Sequence, residues 1–84
     1  MNWKNIKEGT LLIVKWDDTV MDSSWLSDSQ ARTMQSTKCE DVGWFLNHDK
    51  LNIRLVNSRN SNKEQSTTVI PKGVIRSVKI IKQK

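Results

Sequence analysis

The chain has 84 residues with a single cysteine, a single histidine and a formal net charge of +5. That length leaves room for one domain with one core, and one thiol excludes an intramolecular disulfide framework. Cys39 and His48 cannot supply the four N/S ligands of a structural zinc site, so a domain that buries only about 60–65% of its unfolded surface depends on packing or self-association.

Met1 to Gly9 is a polar, charged extension with no apolar run of signal-peptide length. No apolar stretch approaches the ~20 residues that span a bilayer. A lone thiol fits a reducing compartment, so a cytoplasmic protein is expected, with Cys39 a small buried apolar residue. Residues 10–81 read as the folded body of a single domain covering 1–84.

Thr10 to Trp16 is a first strand, apolar at Leu11, Leu12, Ile13 and Val14, and therefore expected to be buried on both faces. A long connection follows, from Asp17 to about Thr37. It holds Trp25, Leu26 and Met34 and is expected to pack rather than hang in solvent. Within it, Ser27 caps one or two helical turns ending near Met34. Long loops in compact domains are often functional.

Lys38 to Asn47 is the second strand, with Val42, Trp44 and Leu46 on one face and Asp41, Gly43 and Phe45 on the other. The first of these faces is expected to be the core, with Trp44 in it. Asn47 to Lys50 forms a turn, and Leu51 to Asn57 returns with Leu51, Ile53 and Leu55 alternating against Asn52 and Arg54. Ser58 to Ser66 is a polar hairpin tip. Thr67 to Ile70 is a fourth strand, broken at Pro71-Lys72-Gly73, and Val74 to Ile81 is a fifth, with Ile75, Val78, Ile80 and Ile81 available for burial. The fold class is thus all-β, and five short strands close best into a small barrel that hides most edges.

Charge is unevenly spread. Residues 1–49 carry five Lys/Arg against eight Asp/Glu, and residues 50–84 carry nine Lys/Arg against Glu64 alone. The bland reading of Lys79, Lys82 and Lys84 is that they keep a final strand soluble and blunt its edge.

The element order resembles the Src-homology-3-like small barrel. The Asp17–Thr37 segment corresponds to that fold's long first loop, and Val69-Ile70-Pro71-Lys72-Gly73-Val74-Ile75 to its 3₁₀ turn before the last strand. More narrowly, Val14-Lys15-Trp16-Asp17-Asp18 followed by Trp25, then Val42-Gly43-Trp44-Phe45-Leu46, then Val69 to Val74, resemble small bacteriophage and prophage proteins. The resemblance implies a five-stranded barrel and a phage-like origin, with the host cytoplasm as the place of action, and implies no activity. The tyrosines of the fold's peptide-binding groove have no counterpart, because the chain has no Tyr.

Catalysis finds little footing. Nucleophile-elbow, P-loop and His-Glu-x-x-His patterns are absent, and the neighbours in Asp17-Asp18 and Glu40-Asp41 point to opposite faces of a strand. The carboxylates Asp17, Asp22 and Asp28 lack calcium-loop spacing. No enzyme, metal or cofactor is expected.

Four tryptophans, Trp3, Trp16, Trp25 and Trp44, favour binding. Trp3 is a candidate for packing on the barrel base or on a second subunit. Two readings follow. In the first, Trp16, Asp17, Asp18, Asp22, Trp25 and Arg32 surround a surface that binds a host protein, the aspartates steering a basic partner. In the second, Lys50, Arg54, Arg59, Lys63, Lys72 and Arg76 face the phosphates of a nucleic acid or nucleotide. Self-association is compatible with either.

Overall fold

A computed structural model describes residues 1–82, so the expectation for Lys84 lies outside the described residues. The strands are β1 (Leu11–Asp18), β2 (Thr37–His48), β3 (Asn52–Arg59), β4 (Gln65–Pro71) and β5 (Ile75–Ile80). One short helix, α1 (Asp28–Arg32), lies between β1 and β2, and 3₁₀ turns occupy Trp3–Asn5 and Lys72–Val74. The all-β expectation holds. The strands form one antiparallel sheet in the order β4-β3-β2-β1-β5, with β4 and β5 at its two ends.

The core lies on one face of this sheet. Leu12 and Val14 of β1, Phe45 of β2, Ile53 and Leu55 of β3 and Ile70 of β4 are buried together with Trp3 and Ile6 of the extension. Trp16, Val74, Ile75 and Val78 pack around them. Each such apolar side chain contributes roughly 1.5–3 kcal/mol by leaving water. The extension is thus part of the body. Trp3 is stacked on Phe45 with ring centroids 6.1 Å apart, and Asn2 caps its turn by accepting from the Lys4 amide. Of the two placements expected for Trp3, the chain's own core takes it.

The assignment of the β2 faces is reversed relative to the sequence reading. Phe45 is the core residue, 3% exposed, while Trp44 and Val42 are 39% and 50% exposed on the other face. The ladder explains why. Leu12 pairs with Gly43 and Phe45 with Leu55, so the Gly43/Phe45 face points the same way as the buried residues of the neighbouring strands. Gly43 also sits where strands come unusually close, since a Cβ there would lie 2.9 Å from the Val56 carbonyl oxygen and 3.0 Å from Leu55 Cβ. A bulge between Phe45 and Asn47 then shifts the register.

The first strand is likewise buried on one face only. Leu12 and Val14 are fully buried, whereas Leu11 and Ile13 on the outer face are half-buried. Leu51, expected in β3, is exposed in the turn before it, and Ile80 of β5 is half-exposed at an edge. Cys39 is half-buried rather than buried.

The β1–β2 connection departs furthest from expectation. Ser27 caps α1 in a reciprocal capping box with Gln30, as its sequence implies, but no residue of the helix is buried. Leu26 alone is half-buried in 19–36. The segment satisfies polar groups locally, through Ser27–Gln30, Asp22–Ser24 and Arg32–Asp28, and so needs little packing. The molecule measures 50 × 30 × 27 Å with a radius of gyration of 16.2 Å, against about 12 Å for a compact chain of this length.

Candidate interaction surface

The residues expected around a protein-binding surface fall into two groups. Trp16, Asp17 and Asp18 end β1, while Asp22, Trp25 and Arg32 lie on the projecting arm between β1 and β2.

The strand-end group is structural in character. Trp16 is half-buried, and its indole N–H donates to Asp41 Oδ2 at 2.6 Å. Trp16 pairs across the ladder with Cys39, two residues before Asp41 on the same face, so the bond bridges β1 and β2 diagonally. Asp17 faces Arg76 of β5, with Nε 2.6 Å from Oδ1. That oxygen is shielded from water and has no hydrogen bond. The guanidinium therefore supplies opposite charge to it, not an aligned donor.

The arm is different. Trp25 is 103% exposed and Met21 90% exposed, and Val20 and Met34 are also exposed. Arg32 is engaged with Asp28 one turn away at 2.7 Å, an exposed pair worth a few tenths of a kcal/mol. Asp22 accepts from the Ser24 hydroxyl and amide. These bonds, the hydroxyl first, hold its carboxyl below the usual range. Residues 17–36 carry four carboxylates against Arg32. Exposed apolar side chains are therefore interleaved with carboxylates along the arm.

Several of the basic residues expected to face phosphates have partners within the chain. Arg54 donates to Asp49 at 2.6 Å and to Asn47 at 3.1 Å, and Arg76 is paired with Asp17. Arg59 donates to Gln65 at 3.1 Å. Lys72 Nζ lies 2.9 Å from His48 Nδ1; a charged lysine can only donate, which places the ring proton on Nε2. Lys50 lies in the β2–β3 turn and Lys63 in the β3–β4 turn, where it adopts φ 64°.

Asp49 shows how thoroughly that turn is wired. Its carboxyl accepts from Arg54, and also from the Asn52 and Leu51 amides at 2.9 Å. These bonds, Arg54 foremost, hold its pKa down to about 2 from an ordinary 3.8. A lowered carboxyl stabilises the fold above its unfolded value and ceases to do so as pH falls through the folded one. The turn's contribution should thus fade between pH about 4 and about 2. An NMR titration of the Asp49 carboxyl carbon should show that low midpoint, and Arg54→Gln should move it up toward 3.8. An unmoved midpoint would place the cause in the amides alone.

Among the described residues, no cluster of three His, Cys, Asp or Glu is placed to hold a metal ion, and no helix is long and apolar enough to cross a membrane. Comparison with family models, curated proteins and solved structures finds no match.

What the sequence reading missed is the outer sheet face. Leu11 pairs with Trp44 and Ile13 with Val42, forming an apolar strip. A groove beside it is lined by Gly9, Trp44, Asn57, Ser58 and Arg59. The signal was available in the period-two pattern of β1 and β2, which has apolar residues on both faces.

Proposed function

We propose that this chain is a non-enzymatic interaction module that inserts Trp25 of the β1–β2 arm into an apolar pocket of another protein. The observation that carries this reading is the full exposure of Trp25 beside an exposed Met21, on a segment whose helix buries no residue. Exposing two large apolar side chains costs solubility and returns nothing to the fold, whereas tryptophan is the residue most enriched among binding hot spots. Asp18, Asp22 and Asp28 around it select a partner with a basic rim and speed encounter more than they add affinity.

The resemblance to phage and prophage proteins makes that partner a host protein, bound in the host cytoplasm and inhibited or redirected by the contact. Support for a Src-homology-3-like small barrel comes from the long β1–β2 connection and the 3₁₀ turn at Lys72–Val74 before the last strand. Nucleic-acid binding through the basic half is the weaker reading, because Arg54 and Arg76 are already ion-paired.

The test is site-directed photo-crosslinking. Ser24→p-benzoylphenylalanine in the full chain should trap a defined partner in host lysate, and the same substitution at Asn62, in the β3–β4 turn, should not. Trp25→Ala in the Ser24 variant should remove the product. Equal labelling from both positions, or labelling that survives loss of Trp25, would refute the arm as the binding element.

A further inference from the structure

The outer face of the β1–β2 ladder is a second apolar surface, and its surroundings indicate what covers it. Val42 and Trp44 are largely exposed on it, with Leu11 and Ile13 half-buried beside them. Its rim is cationic. Lys79 pairs with Ile13 from the β5 side, Lys15 follows on the same face opposite Glu40, and Arg59 lines the groove next to Trp44. A ligand for this face needs large apolar side chains interleaved with carboxylates.

One segment of that description is present in the chain itself. The arm runs Asp17-Asp18-Thr19-Val20-Met21-Asp22-Ser23-Ser24-Trp25-Leu26-Ser27-Asp28, with Val20, Met21 and Trp25 exposed. We propose that the outer β1–β2 face is the docking site for the arm of a second copy of this chain, each copy giving an arm and receiving one.

The argument rests on charge and shape complementarity. The arm interleaves carboxylates with exposed apolar side chains, and the face has an apolar centre with Lys15, Lys79 and Arg59 around it. A closed two-fold contact requires a surface that complements itself. The acidic arm at one end of the β1–β2 ladder and the Leu11–Trp44 strip at its other end provide that: with the axis running across the strands, β1 of each copy lies antiparallel over β1 of the other, and each arm comes over the other's Trp44. The contact also supplies what an 84-residue domain without disulfides lacks, a second layer on its exposed sheet. This inference rests on the reading of Trp25 as an anchor and adds that the anchor is covered by a second copy until a target displaces it.

Sedimentation equilibrium of the full chain at low salt should show a monomer–dimer equilibrium between 9.7 kDa and twice that mass, weakened by added salt. Trp25→Ala and Trp44→Ala should each weaken dimerisation about tenfold or more. Mixing the two variants in equal amounts should restore part of the affinity, because one intact arm then meets one intact face. Val42→Lys replaces Trp44→Ala if the latter melts early. A monomer at every concentration, a dimer indifferent to both tryptophans, or a mixture no tighter than its components would overturn the proposal. So would a monomer whose Trp44 fluorescence is quenched by a single-stranded oligonucleotide, which would assign the face to nucleic acid. A monomer that still crosslinks a host protein from position 24 would sink self-docking and leave the arm's function intact.

Discussion

Trp25→Ala is expected to lower affinity for the arm's protein partner by about thirtyfold or more, with the melting temperature shifted by no more than about 2–4 °C. The first figure is the ordinary consequence of removing a central tryptophan anchor, about 2 kcal/mol or above. The second follows from exposure. Trp25 covers no other part of the fold, and exposed substitutions of this kind change stability by about half a kcal/mol at most. The two readouts must separate. Calorimetry against the crosslinked partner and thermal melting of the same preparations would show this. A melting temperature that fell with affinity, in samples dilute enough to be monomeric, would mean that the ring packs against the body. Trp25→Phe should lie between wild type and Ala, because it keeps much of the apolar area and loses the indole N–H.

Phe45→Ala should have the largest effect on stability, about 3–5 kcal/mol. A chain of this size has about 4–13 kcal/mol in total, so the loss is a large fraction of its stability. Phe45 is 3% exposed at the centre of the core. Its ring is stacked on Trp3, and its backbone receives the Gly9 amide at 2.7 Å and donates to the Thr10 carbonyl at 2.8 Å. Truncation leaves a cavity between β2 and the extension and releases Trp3. Urea denaturation followed by near-ultraviolet circular dichroism should show a lower midpoint. Trp44→Ala, one residue away on the outer face, should cost less than half as much. Equal losses at the two positions would contradict the assignment of faces.

Those adjacent residues also show how far the sequence could be read. The alternation of β2 was legible, and Val42/Trp44 and Gly43/Phe45 do lie on opposite faces. Which face is the core was not, because both offer apolar residues and the decision rests with β1 and β3: Gly43 is opposite Leu12 and Phe45 opposite Leu55. Single-strand periodicity carries no information about such pairings. In β3, Ile53 and Leu55, which alternate with polar Asn52 and Arg54, are buried as anticipated, whereas Leu51 falls in the turn before the strand and is exposed.

The arm repeats this lesson at the level of the site. Ser27 as helix cap and Pro71-Lys72-Gly73 as a break are local signals, and both appear where expected. Packing of this segment was inferred from Trp25, Leu26 and Met34 together, and only Leu26 is half-buried, since local hydrogen bonds order much of the segment. The partners of Trp16 and Asp17 were not legible for a related reason. Trp16 and Asp17 are engaged by Asp41 and Arg76, residues 25 and 59 positions away in the chain.

The position of β1 has a consequence for how this protein can change. The strand lies between β2 and β5 and is hydrogen-bonded to both, so chain continuity through the arm adds little to holding it there. Residues 19–36 can be lengthened, replaced or cut while the flanking halves stay associated through the sheet and the core. The arm is thus a segment whose sequence can change without altering the strand pairings that hold the body together.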